Sequence, residues 1–345
     1  MTKWVIDKNA VTQFLDELLE AYPVFGPVER DGILGLELLT SSDEVLLDFH
    51  NTRQAPKELF FPRSETLFTY EEGKVLPVSL AEGKRVVFGI RPCDARSSVL
   101  LDLVFDTPDF QDPYYVNRRE NTVLMGLGCN QPESTCFCTV VGGGPFAVDG
   151  LDLMWTDLGD RYLVEAITDQ GEAFVADNAH LRPATTEDVS LKAEIASRAE
   201  GSISGPNLQG VKEKLDTMYD DPFWDELHLK CLGCGACTYL CPTCHCFDIV
   251  DEGTALRGKR VRNWDTCQFA LFTHHTSGHN PRQSGKERMR QRVMHKFNYF
   301  VENQGEIACV GCGRCVRNCP VNLDIRAVIE GIRRVTEGPG AGEER

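Results

Sequence analysis

The sequence predicts two domains of different class: an α/β (or α+β) N-terminal domain over residues 1–200 and a helical domain over residues 211–345, joined by a linker at 201–210. Three observations carry this. Apolar runs at Val86–Ile90 and Val123–Leu127 flank a helical pattern, Ala95–Phe105, as in a β-α-β unit. The segment GSISGPNLQG, small, polar and proline-containing, interrupts the pattern at 201–210. Beyond it, two cysteine-rich runs are separated by residues with helical periodicity. A chain of 345 residues is long enough for two cores.

The elements follow in order. NAVTQFLDELLE, residues 9–20, places Val11, Phe14, Leu15, Leu18 and Leu19 on one helical face, with Asn9 expected as its cap. Short apolar runs at Ile33–Leu39 and Val45–Phe49 read as strands, followed by the β-α-β unit over 86–127. Alternation near Met154 and over Tyr162–Ile167 adds two more strands. After the linker, VKEKLDTMY and the segment around Trp224 read as helices. KERMRQRVMHKFNYFVEN aligns Met289, Val293, Phe297, Phe300 and Val301 in a helical stripe.

The two cysteine runs carry the chemistry. Cys231, Cys234, Cys237 and Cys241 are followed by Pro242, and Cys309, Cys312, Cys315 and Cys319 by Pro320, so each run is C-x2-C-x2-C-x3-C-P. CLGCGACTYLCPT and CVGCGRCVRNCPV share seven of thirteen positions, an internal repeat. In this spacing three thiolates wrap one [4Fe-4S] cube and the fourth goes to a neighbouring cube. Interdigitated ligation assigns Cys231, Cys234, Cys237 and Cys319 to cluster one, and Cys309, Cys312, Cys315 and Cys241 to cluster two. Two four-thiolate zinc sites are the competing reading, but they need only paired C-x2–4-C spacings. The third close cysteine and the Cys-Pro, each occurring twice, favour iron.

Seven of the fifteen cysteines remain. Cys93 follows one predicted strand and Cys129, Cys136 and Cys138 follow the next; the carboxyl ends of parallel strands meet at one crevice. These four thiols are read either as ligands of a third iron–sulfur cluster or as buried small hydrophobes. Cys244, Cys246 and Cys267 are read as packing thiols, as ligands of another metal completed by His245 or an N-terminal thiol, or as a redox-active set. His274, His275, His279 and His295, with Arg282, Lys286, Arg288, Arg290, Arg292 and Lys296, form the one locally basic stretch. It is expected to be a solvated helix face; the functional alternative is a docking surface or a field that eases cluster reduction.

Composition excludes other classes. The net charge of −16, from 52 acidic against 36 basic residues, argues against a nucleic-acid partner. No run of about 18 apolar residues predicts a membrane span, and the start lacks a basic-then-apolar signal segment. Reducing cytoplasm is therefore the expected location, with an anaerobic host suggested by the free thiols. Gly126 and Gly128 follow a strand, but Gln131 breaks the G-x-G-x-x-G fingerprint, so NAD or FAD is not expected on this chain.

GIRPCDARSSVLLDLVF, CNQPESTCFCTVVGGGPFAVDGLDLMWTDLGDRYLVE, CLGCGACTYLCPTCHCFDIVDE and RVRNWDTCQFALF together resemble the beta subunit of cytoplasmic sulfhydrogenase and the corresponding iron–sulfur component of anaerobic sulfite reductase, over roughly residues 85–325. Cluster runs separated by helices also resemble α-helical ferredoxins, which implies an α-helical-ferredoxin-like C-terminal domain. The resemblance implies an electron-transfer subunit of a multi-subunit oxidoreductase. Its partners would be a flavin- and NAD(P)H-binding subunit, together with a hydrogenase, reductase or heterodisulfide-reductase-type subunit. The expected function is one-electron relay through two [4Fe-4S] clusters or three, without catalysis by this chain. The rival is a catalytic subunit reducing a sulfur compound or disulfide at an incompletely ligated cluster or thiol site near Cys244, Cys246 and Cys267. A regulatory iron–sulfur sensor is disfavoured, since no DNA-binding or signalling segment is recognisable.

Overall fold

The computed structural model describes residues 2–80, 82–176 and 178–335, so residues 336–345 of the expected helical domain lie outside the described residues. The strands are β1 (Lys3–Asp7), β2 (Val24–Arg30), β3 (Ile33–Leu38), β4 (Ser64–Glu71), β5 (Lys74–Pro77), β6 (Arg85–Ile90), β7 (Thr122–Leu127), β8 (Leu153–Asp157), β9 (Arg161–Ala166), β10 (Arg182–Pro183), β11 (Phe247–Gly253) and β12 (Arg257–Trp264). The α-helices of the first 201 residues are α1 (Val11–Ala21), α2 (Pro92–Phe105), α3 (Pro113–Glu120), α4 (Asp169–Val175) and α5 (Thr186–Gly201). Those beyond are α6 (Val211–Thr217), α7 (Phe223–Leu227), α8 (Ala236–Tyr239), α9 (Gly285–Met294), α10 (Phe300–Gln304), α11 (Arg314–Arg317) and α12 (Ile325–Arg334).

Eight strands form one mixed sheet in the order β10-β1-β9-β8-β7-β6-β2-β3. Its centre, β2, β6, β7 and β8, is parallel, and the flanking pairs are antiparallel. Because side chains alternate along a strand, Val86 and Phe88 of β6 face the α1 side with Phe14 and Leu15, while Val87 faces the opposite side with Leu101 and Phe105 of α2. Each large apolar side chain fully buried in this way stabilises the fold by about 1.5–3 kcal/mol. The β-α-β reading of residues 86–127 matches this arrangement, with the second helix α3 added in the crossover.

Several expectations need correction. Asn9 does not cap α1; it lies in a short 3-10 turn, Lys8–Ala10, that runs into the helix. Val45–Phe49 is not a strand. Its alternating Val45, Leu47 and Phe49 pack on the core, but only Leu46 N–H reaches the sheet, donating to Pro27 O at 2.8 Å, so the segment is a loop laid over the sheet edge. The region beyond 211 is not purely helical. The β11–β12 hairpin completes a four-stranded antiparallel sheet, β11-β12-β4-β5, with strands from the first half. Strands β5 and β11 are largely exposed, so burial imposes no apolar alternation on them. The 201–210 segment runs irregularly from the end of α5 to Gly210, which caps α6.

Among the described residues no helix is long and apolar enough to cross a membrane. A second core joins Trp224, Met289, Val293, Phe297, Ile329 and Ile332 of the later helices to Phe137 and Val141, in and just after the Thr135–Cys138 segment. The two cysteine-bearing regions are therefore packed into one interior.

Candidate iron–sulfur centres

The first run approaches its cavity on a turn. Gly233 (φ +66°) and Gly235 (φ +73°) occupy backbone conformations that side chains disfavour, and the Gly233 N–H points at Cys231 Sγ, 3.3 Å away. The second run repeats this: Gly311 has φ +63° and its N–H donates to Cys309 Sγ at 3.4 Å. The sequence repeat is thus also a repeat of backbone donors aimed at sulfur.

The structure brings the predicted sets together. Cys231, Cys234, Cys237 and Cys319 line one cavity, with Gln268 and Arg292 in its wall. Cys241, Cys309, Cys312 and Cys315 line a second, with Arg292 and Lys296. Cys93, Cys129, Cys136 and Cys138 line a third, closed on one side by Gly311 and Cys312. Cys315 also faces the first cavity and Cys312 the third, so each neighbouring pair of cavities shares a cysteine. The order along this row is third, second, first.

Elements on both sides of the linker fix this row. Cys93 stands in the first turn of α2, just past β6, and Cys129 just past β7. Phe137 N–H donates to Gly311 O at 2.8 Å, and Asn51 Nδ2 donates to Cys312 O at 2.9 Å. A Cβ at Gly311 would lie 2.5 Å from the Cys138 nitrogen, so only glycine allows this contact. Arg314, wholly buried, donates twice to Asp94 of α2, at 2.6 and 2.7 Å, and to Thr52.

The charges fit an anionic occupant. Arg292 and Lys296 are buried, and among the described residues neither is paired with a carboxylate. The Arg292 Nη1 nitrogen is buried without a hydrogen-bond partner. Burial works against the charge on Lys296, but Cys241 and Cys244 more than offset it and hold its pKa above the usual range. Arg292 is raised likewise against burial, chiefly by Cys237 and Cys315. Uncompensated buried cations are costly, and a thiolate-ligated cluster of net negative charge is the partner they lack. These findings overturn the expected solvated face: Arg290, Arg292 and Lys296 are buried, although His274, His275 and His279 are exposed.

Burial pushes the Cys138 and Cys309 thiols up to about 11. Cys241 is the exception. The hydrogen bond from the Cys244 thiol holds it well below the usual thiol range despite burial, with Lys296 and Arg292 adding to the effect. Lys296 Nζ is 3.3 Å from Cys241 Sγ, on a π-helical turn, His295–Tyr299, that interrupts the helix between α9 and α10.

Cys244, Cys246 and Cys267 do not converge on a metal. Cys244 turns to Cys241, and Cys246 pairs with Cys267 across the base of the β11–β12 hairpin. Among the described residues no three His, Cys, Asp or Glu side chains are grouped to hold a single metal ion. His245 packs against His295, ring centroids 5.2 Å apart, rather than pointing at a cysteine set. Sequence reasoning missed the buried roles of Arg292, Lys296, Lys57 and Arg314. A signal was present for two of them, because residues 292 and 296 fall on the apolar stripe of Met289, Val293 and Phe297. Lys57 Nζ reaches across to donate to Cys244 O at 2.7 Å, a contact with no local signature.

Comparison with known proteins points to the same chemistry. Residues 230–323 match the family described as a 4Fe-4S dicluster domain, so the chain is iron–sulfur in character. Over 324 residues it is 34% identical to sulfhydrogenase 2 subunit beta of Pyrococcus furiosus, covering 93% of this chain and 95% of that one. The similarity extends well beyond residues 85–325, into the N-terminal stretch that the motifs leave out.

Proposed function

The chain belongs to the sulfhydrogenase beta-subunit family, and from that premise we propose that it is the electron relay of a multi-subunit oxidoreductase, holding three [4Fe-4S] clusters in a row. The observation that supports this best is the sharing of Cys312 and Cys315 between neighbouring cavities. Cys231, Cys234, Cys237 and Cys319 would hold cluster one. Cys309, Cys312, Cys315 and Cys241 would hold cluster two, and Cys93, Cys129, Cys136 and Cys138 a third. A [4Fe-4S] cube supplies a one-electron couple whose potential depends on charge, sulfur hydrogen bonds and exposure. The residues of this chain set those conditions: Gly233 and Gly311 N–H at sulfur, Arg292 between the first two cavities, and exposed Cys234 at the outer end.

A hydrogenase-type partner and a flavin subunit that splits hydride from NAD(P)H into single electrons complete the reading. The catalytic alternative at Cys244, Cys246 and Cys267 has less support, because these thiols pair with other thiols and leave no open ligand position. Iron and acid-labile sulfide of the anaerobically purified chain should each be near twelve, and Cys129→Ala should lower both toward eight. The chain alone should not oxidise NADH, yet should be reduced once its flavoprotein partner and NAD(P)H are added. Zinc in place of iron, or NADH-dependent reduction of the flavin-free chain, would sink the proposal.

A further inference from the structure

We infer that Lys296 sets the potential of the cluster held by Cys241, Cys309, Cys312 and Cys315, keeping this interior cluster reducible from its more exposed neighbour. The inference rests on the relay reading above. Cys241, Cys309 and Cys312 are buried, whereas Cys234 of the first cavity is exposed. Removing a cluster from water disfavours the electron that makes it more negative, so burial alone would turn the second position into a barrier in the row.

Lys296 opposes that effect at one atom. Its ammonium lies 3.3 Å from Cys241 Sγ and is held there by Thr243 Oγ1 at 3.1 Å and Ala308 O at 2.9 Å. Only 4% of the residue is exposed, so water screens the charge little. The Thr243 hydroxyl, 3.2 Å from the same sulfur, is a second neighbour on that ligand. Attraction between the ammonium and the cluster grows when the cluster gains its electron.

Two buried arginines near this cavity do not act on it selectively. Arg292 borders the first and second cavities together. Arg314 is bound to Asp94 through two hydrogen bonds and is thereby neutralised as a pair. Lys296 lines the second cavity and not the first or the third.

The test is an anaerobic redox titration of the full chain followed by electron paramagnetic resonance, with iron content measured on the same samples. Cys234→Ser identifies the signal of cluster one. In Lys296→Met the reduced-to-oxidised ratio of cluster two at fixed potential should fall at least tenfold, which is 59 mV for one electron. Cluster one should not move, and Lys296→Arg should keep cluster two within that interval of the wild type. A smaller fall in Lys296→Met, or an equal shift in both clusters, overturns the inference. Should Lys296→Met fail to retain iron, Lys296→Gln, which keeps a donor and removes the charge, is judged by the same criterion. Failure of the relay reading looks different: the wild-type chain would then give no pair of cluster signals to compare.

Discussion

His245 and His295 face one another in the interior, and burial holds both neutral, pushing His245 down to about 4 and His295 to about 3, with Lys296 adding repulsion. An imidazole in the unfolded chain titrates near pH 6.5. Stability tied to a depressed histidine is therefore present above about pH 6.5 and lost as pH falls toward the folded value. Anaerobic calorimetry should show the unfolding transition dropping between about pH 6.5 and 4, with His245 alone accounting for roughly 3 kcal/mol at the lower end. His245→Gln should flatten that slope. An unchanged slope in this variant would place the acid sensitivity on other groups.

Helices α2 and α11 are locked together by Arg314 and Asp94, a buried ion pair between residues 220 positions apart. Removing one partner leaves a bare charge in the interior, so Arg314→Ala should cost about 3–5 kcal/mol in urea unfolding. Arg314→Met combined with Asp94→Leu should recover most of that loss, because an apolar pair leaves no charge unpaired. A double variant as unstable as the single one would show that packing, not charge, holds the contact. Elements differ in how far the sequence announces them. The central strands β6 and β7 and helices α1 and α2 are legible because apolar periodicity records burial. Strands β5 and β11 are exposed and held by ladder bonds and ion pairs such as Arg260–Asp251, which leave no period in the residues. The helix through Lys296 is legible as a helix, and the apolar stripe beside Arg292 and Lys296 signals their burial, while the sulfur atoms they meet come from distant segments and leave no local mark.

For the whole molecule, the cysteine spacing already brings the first two sets together on paper, and the strand-end rule brings the third; their sharing of walls depends on long-range packing that spacing does not encode. Interdigitation gives a clear expectation. Cys319→Ala should remove about four iron atoms and the signal assigned to cluster one by Cys234→Ser, although Cys319 belongs to the second run. If the signal lost is instead that of the set around Cys309, Cys312 and Cys315, the crossed assignment is wrong. The same packing sets Arg91, Arg292 and Lys296, buried cations of a chain with net charge −16, in the walls of the cysteine-lined cavities.

The contact of Gly311 with the Cys138 backbone also orders events in time. A ribosome releases Cys93 first and Cys319 last, and none of the three cavities has its full wall until the last run has emerged: the first lacks Cys319, the second Cys309, Cys312 and Cys315, and the third its Gly311–Cys312 side. A chain interrupted before its second run displays eleven cysteines and encloses none of the three cavities in full.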